Sequence, residues 1–238
     1  MNLLHIITPV KDSLATTLDT IRSVMSSRLS EPFTYTIYDD FSSDETARRL
    51  DEEALAQGFQ VVHLRDVTDH PSPNYLLVLQ TARENALAAD AHLCIVESDV
   101  TVQPDTLQAL LDGARQRTDC GIAAAVTVDE AGEVNYPYLH AKNLPKEAAP
   151  TDKHCSFCCS LLTPELLRRF DFSELNPNKS WYDVTISHEA LARGLKNYLF
   201  TNLPVVHRPH QSRPWKQLKY KNPLLYYWKK FTKGLDKI

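Results

Sequence analysis

Apolar and polar positions along the first half of the chain alternate between two rhythms. Positions 3–8 form a continuous apolar run, as expected of a strand covered on both faces, and positions 13–27 carry Leu14, Leu18, Ile21, Val24 and Met25 at helical spacing. A second strand is predicted over 33–38. A helix follows it, opened by the capping-box pair Ser42 and Glu45 and stopped near Gly58. The same pattern predicts a strand at 60–64, a helix at 75–89, a strand at 92–96, a helix from Pro104 to about Arg117 and a strand at 121–128. Strand and helix alternate throughout, the signature of a mostly parallel α/β sheet wound by crossover helices.

Past Asp129 the rhythm changes. Positions 132–153 are rich in proline and polar residues without a sustained period, which predicts a loop over a site. A strand is expected at 155–162, a short helix from Pro164, a loop at 171–179 and a helix at 182–193 ended by Gly194. Two short strands follow, at 197–201 and 203–206. The expected architecture is one α/β domain over residues 1–212, with a C-terminal tail over 213–238.

Composition adds little to this picture except at the tail. The apolar fraction of 43% and charged fraction of 24% are those of a folded globular chain. Five cysteines without an export signal predict reduced, buried thiols; Cys155 and Cys158 have ligand-like spacing, but no second Cys or His pair accompanies them. The N-terminus has neither a basic leader nor a spanning apolar run, so a cytoplasmic location is expected, peripheral on the inner face of a membrane if the tail binds there. Net charge is −4, but positions 213–238 hold eight Lys or Arg and one Asp. There Lys216, Lys219, Lys221, Lys229 and Lys230 interleave with Trp215, Tyr220, Tyr226, Tyr227, Trp228 and Phe231. That composition suits an anionic membrane surface or, alternatively, aromatics packed on the domain; nucleic acid is not the expected partner.

In open α/β sheets ligands bind beyond the carboxyl ends of the strands. Those positions hold Thr8-Pro9-Val10, Asp39-Asp40 and Glu97-Ser98-Asp99. Neither the G-x-G-x-x-G nor the G-x-x-x-x-G-K-[ST] phosphate cradle is present. A bound diphosphate would then be neutralised by carboxylates and a divalent ion, Mn²⁺ or Mg²⁺. Glu97 and Asp99 share one face if strand extension continues, and both could approach one cation. Read alone, the triplet fits capping of the Pro104 helix equally well. Arg83 is a candidate for offsetting phosphate charge.

Ile6-Ile7-Thr8-Pro9-Val10, the segment from Ile37-Tyr38-Asp39-Asp40 to Asp44-Glu45-Thr46, then Ala82-Arg83-Glu84-Asn85 and Val96-Glu97-Ser98-Asp99 together resemble the ordered motifs of family 2 glycosyltransferases with the GT-A fold. Cys155 to Leu162, Phe170-Asp171-Phe172, Trp181-Tyr182-Asp183-Val184 and Val205-Val206-His207 follow in the family's order. The resemblance implies a nucleotide-sugar donor, with a UDP-sugar expected, and a saccharide or lipid-linked saccharide acceptor. It implies that Thr8, Pro9, Val10 and Asp39 hold the base and ribose, that Glu97 and Ser98 lie on the donor side, and that Asp99, with His207, binds the metal. Asp183 would be the catalytic base of an inverting transfer. The chain departs from the pattern at Phe41, where the family often has Gly, at Glu97 in place of Asp, and at Tyr182 in place of an acid. The alternatives are a sugar nucleotidyltransferase, which would need a Gly-rich basic loop after the first strand, and a catalytically silent binding module.

Overall fold

The computed structural model describes residues 4–179, 181–209 and 222–233. Its first half is β1 (Leu4–Val10), α1 (Leu14–Met25), β2 (Phe33–Asp39), α2 (Asp44–Gln57), β3 (Gln60–His63), α3 (Tyr75–Ala88), β4 (His92–Val96), β5 (Val100–Thr101), α4 (Thr106–Arg115) and β6 (Cys120–Val128). The second half is β7 (Ala148–Thr151), β8 (Cys159–Leu162), α5 (Pro164–Arg169), α6 (Tyr182–Ala192), β9 (Lys196–His207) and α7 (Pro223–Lys233).

The strands form one sheet in the order β3-β2-β1-β4-β8-β6-β9-β5, with β7 added on β9. Pairing is parallel from β3 through β4, as the alternating pattern predicts; the sheet then turns mixed, because β8 runs antiparallel to both β4 and β6. Alternation along β4 divides the core: Leu93 and Ile95 pack on the face covered by α3, α5 and α6, while Cys94 and Val96 pack on the face covered by α1, α2 and α4. Each large apolar side chain buried there contributes about 1.5–3 kcal/mol relative to exposure.

Several sequence expectations change in detail. The cap of α2 is Ser43, whose hydroxyl accepts from the Thr46 amide, whereas Ser42 accepts from the Asp12 amide. Only Cys159–Leu162 is strand; Cys155 and Ser156 are irregular and Phe157 and Cys158 form a turn, since Ser156 and Ser160 draw the backbone there into local hydrogen bonds. The two expected terminal strands are one, β9, with a register shift opposite Ala125 and Val126. The 132–153 segment is partly ordered by β7 and by burial of Tyr138 and Ala141. Gly113 lets α4 lie directly on β9, since a Cβ there would sit 2.4 Å from the Phe200 ring. All five cysteines are free and buried, as expected. Among the described residues no helix is long and apolar enough to cross a membrane. Residues 210–221, with Trp215, Lys216, Lys219, Tyr220 and Lys221 of the tail, lie outside the described residues.

Candidate active site

β4 delivers Glu97 to the carboxyl edge of the sheet, and a turn takes over at once. The Glu97 amide donates to the Cys158 carbonyl at 3.0 Å, and the Val100 amide donates to the Glu97 carbonyl at 3.1 Å. Strand extension therefore does not continue through Asp99; a tight turn, not strand alternation, brings the two carboxylates together. β5, two residues long and absent from the sequence expectation, pairs Val100 with His207 of β9. The Arg208 amide donates to the Asp99 carbonyl at 2.9 Å, pinning the turn against the end of β9.

His207 is 5% exposed and oriented on both sides. Its Nδ1 lies 2.8 Å from the Tyr136 carbonyl, which can only accept, so Nδ1 carries hydrogen and donates. Nε2 then faces the acidic turn, 3.6 Å from Asp99 Oδ2 and 4.0 Å from Cys158 Sγ. The Cys158 thiol donates to Glu97 Oε2 at 3.2 Å. Asn135 Nδ2 donates to the His207 carbonyl at 2.9 Å, so the 132–153 segment helps to hold the histidine.

Electrostatics show how tightly these groups are gathered. Burial, and then the Asp99 charge, push the Glu97 carboxyl above its ordinary range, with Asp183 adding to the effect and His207 opposing it. At His207 burial works against the imidazolium, but Asp99, Glu97 and the Tyr136 carbonyl outweigh it and raise the pKa. Asp183, in the first turn of α6, is thus close enough for its charge to reach Glu97. Its Oδ1 accepts from the Val184 amide at 2.9 Å, and Tyr182 beside it packs on Tyr75 with ring centroids 6.2 Å apart.

Glu97, Cys158 and His207 each present one ligand atom within 4.8 Å of the others. A carboxylate, an imidazole with its second nitrogen hydrogen-bonded, and a second carboxylate, Asp99, against that imidazole form a donor set that fits a divalent ion. Ser98 is buried in the same turn. The other expected donor-side residues are placed differently. Thr8 Oγ1 and the Tyr35 hydroxyl pair at 3.0 Å in the core, and Val10 is buried, so of that trio Pro9 alone is partly exposed. The Asp39 side chain is 0% exposed, with Oδ1 accepting from the Ser42 amide and Oδ2 bonded to His63 Nδ1.

Arg83 is not brought to the site. Its Nε donates to the carbonyls of Leu167 and Phe170, its Nη1 donates to Asp171, and its guanidinium lies over the Phe172 ring. It sits eight residues along α3 from Tyr75, about 12 Å of helical rise. There it clamps α5 and the following turn to α3, its Nε held by two backbone carbonyls and its Nη1 by the Asp171 carboxylate. Cys158, Tyr136 and Asn135 are the site residues that sequence reasoning missed. Cys158 carried a signal in its spacing from Cys155, but Cys155 lies against Ser187 instead, its amide donating to that hydroxyl at 2.9 Å.

The model of the family described as Glycosyl transferase family 2 matches residues 5–171. No protein with a curated description matches the chain. Among solved structures, the mannosyltransferase PcManGT from Pyrobaculum calidifontis, in complex with GDP-Man and Mn²⁺, superposes with a TM-score of 0.65 at 14% identity, covering 97% of this chain and 64% of that one. TarS 1-349 of S. aureus gives 0.64 at 16% identity, covering 92% of this chain and 64% of that one. GalNAc-T7 with UDP, GalNAc and Mn²⁺ gives 0.65 at 12% identity, over 87% of this chain and 44% of that one. At these identities the likeness shows a shared fold, and the chain spans less than two thirds of each protein's length.

Proposed function

Since the chain belongs to glycosyl transferase family 2, we propose that it transfers a sugar, with inversion, from a nucleoside diphosphate donor to a saccharide or lipid-linked saccharide. The observation that carries this reading is the gathering of Glu97, Asp99, His207 and Asp183 at the carboxyl edge of the sheet. Three acids and an imidazole gathered from the turn after β4, the start of α6 and the end of β9 suit a ligand that brings phosphate together with a divalent ion. Two of the similar structures contain Mn²⁺ with GDP-Man or with UDP, which favours Mn²⁺ over Mg²⁺ here.

Asp99 and His207 would hold the metal with Glu97 beside them, and the Tyr136 carbonyl keeps the His207 Nε2 lone pair turned inward. When bound, the ion supplies charge neutralisation to the departing diphosphate. Asp183 accepts the proton of the acceptor hydroxyl as that oxygen attacks the sugar carbon from the face opposite the diphosphate. The donor base, uracil by expectation, is assigned to the carboxyl ends of β1 and β2, at Pro9, Val10 and Asp39. An ionised carboxylate has about four acceptor positions, so Asp39 retains capacity beyond its bonds to Ser42 and His63. Ser98 lines the donor side of the turn.

A membrane-surface acceptor is favoured by α7. Leu224, Tyr227, Trp228 and Phe231 follow i, i+3, i+4, i+7 spacing and form one stripe, with Leu224 85% and Phe231 90% exposed, while Tyr226 is buried on the other side. Lysines flank the stripe at 229 and 230, matching an anionic lipid surface and an in-plane helix.

Purified protein with Mn²⁺ and a panel of UDP-, GDP-, dTDP- and CDP-sugars should release nucleoside diphosphate from one of them in the presence of acceptor. Absence of release from every donor and acceptor combination would sink the reading. Cosedimentation with phosphatidylserine vesicles, lost on Phe231→Ser, tests the surface contact; equal binding to vesicles of neutral lipid would argue against it.

A further inference from the structure

The Cys158 thiol stands where a metal ligand would, in a site whose expected ion prefers oxygen. Its Sγ is 3.2 Å from Glu97 Oε2 and 4.0 Å from His207 Nε2, and the three ligand atoms lie within 4.8 Å of one another. Zinc binds sulfur at about 2.3 Å and nitrogen or oxygen at about 2.0–2.2 Å, so the edges of a tetrahedral zinc centre measure roughly 3.4–3.6 Å. The two separations from Cys158 bracket that range. Mg²⁺ and Mn²⁺ take carboxylates, carbonyls and water, whereas a thiolate with an imidazole favours zinc and cobalt.

Two features of the surroundings fit a ligand. His207 donates Nδ1–H to the Tyr136 carbonyl, the arrangement typical of a metal-bound histidine. Cys158 is fixed from its other side by Ser156, whose hydroxyl is 3.3 Å from Sγ and accepts from the Cys158 amide at 3.4 Å. The thiol is therefore positioned by its own turn, and the backbone bond from the Glu97 amide to the Cys158 carbonyl ties that turn to the acidic one.

We propose that Cys158 is a direct ligand, completing with Glu97 and His207 a three-residue thiolate, carboxylate and imidazole centre that binds zinc-like ions more tightly than Mg²⁺. Ionisation of the thiol sends one proton to solvent and changes no oxidation state. Three protein ligands leave a fourth position for a diphosphate oxygen. The inference rests on the metal-dependent reading above, and its consequence is ion selectivity: oxygen-preferring ions would use Asp99 and His207, and thiophilic ions would recruit Cys158.

The test uses the full chain, stripped with chelator and titrated with Co²⁺. Wild type should develop near-ultraviolet thiolate-to-cobalt charge-transfer absorption; Cys158→Ser should lose it, and Cys155→Ser should keep it. Zn²⁺ affinity should fall at least tenfold in Cys158→Ser, with Mg²⁺ affinity unchanged. A wild-type cobalt complex without the band, or a band that survives in folded Cys158→Ser, overturns the proposal. If the serine variant does not fold, ¹¹³Cd resonance of the wild-type complex decides: a shift in the sulfur-ligated range supports Cys158 ligation, and one in the oxygen- and nitrogen-only range refutes it. Sugar transfer with Mn²⁺ in the absence of the cobalt band would leave the proposed function standing and remove only this inference. The band without transfer would do the reverse.

Discussion

Asp39 and Asp40 follow β2 as Glu97 and Asp99 follow β4, and the two acidic turns come to opposite ends. At the first, every carboxylate oxygen meets a donor. Asp40 accepts from Ser72 Oγ at 2.7 Å, from the Asn74 amide at 2.9 Å and from Asn74 Nδ2 at 2.8 Å, and Asp39 holds the Ser42 amide and His63. At the second, the acids face one another, so that Asp99 and Asp183 raise the pKa of Glu97. The first turn is a latch that joins the β2–α2 connection to the start of α3. The second concentrates negative charge in a largely buried place, a costly arrangement for folding that a divalent cation would relieve. Similar acidic runs after parallel strands thus become a satisfied hydrogen-bond network in one case and a cluster of like charge in the other, according to the donors that the tertiary fold brings up.

That contrast can be broken in order of expected effect. Asp183→Asn keeps shape and removes the proposed base, so the transfer rate should fall by about 10²–10⁴-fold while donor affinity, measured by calorimetry, is unchanged. Retained transfer would remove Asp183 from its role. Asp40→Ala strands three donors of the latch and should cost about 2–4 kcal/mol of stability in denaturant unfolding; a cost near zero would show that water replaces the carboxylate. Asp99→Asn should weaken Mn²⁺-dependent donor binding about tenfold or more. It should change stability by under about 1 kcal/mol, because the lost His207 contact is offset by relief of the repulsion with Glu97. A large loss of stability there would make the two turns alike.

The smallest effect is a pH dependence of the latch. His63 has Asp39 at Nδ1 and Asp51 at Nε2, both acceptors, so the protonated ring satisfies both. Burial lowers its pKa, but these two carboxylates outweigh it and the net shift is upward. A raised folded-state pKa contributes stability below the unfolded value of about 6.5 and loses it as pH rises through the folded value. Unfolding midpoints should therefore decline slightly across that interval in wild type. In His63→Gln the decline should be smaller, and an identical profile would exclude His63 as its source.

Much of the sheet is legible along the chain because continuous apolar runs and helical periods report burial locally: β1, β2, β4 and β6, with α1, α3 and α6, lie within a few residues of their expected places. The short β5 and β7 are not legible, since two- and four-residue strands exist only through their pairing with β9. The ordered motifs point to the family, and the family model matches over residues 5–171. Arg83 shows the limit of motif reading, because its Nε is held by carbonyls 84 and 87 residues away, which no local pattern reveals.

From sequence alone the chain announces an α/β sheet, acids beyond its strand ends and no glycine cradle for phosphate, all of which depend on residue type and short-range period. Which acids are gathered together was decided by tertiary structure. β8 runs antiparallel beside β4 and sets the Cys158 carbonyl against the Glu97 amide; β9 returns beside β5 and sets His207 against Asp99; the loop before β7 supplies the Tyr136 carbonyl that turns the imidazole. These contacts join residues 61, 108 and 71 positions apart, and their formation depends on the burial of both core faces rather than on any preference of the segments themselves.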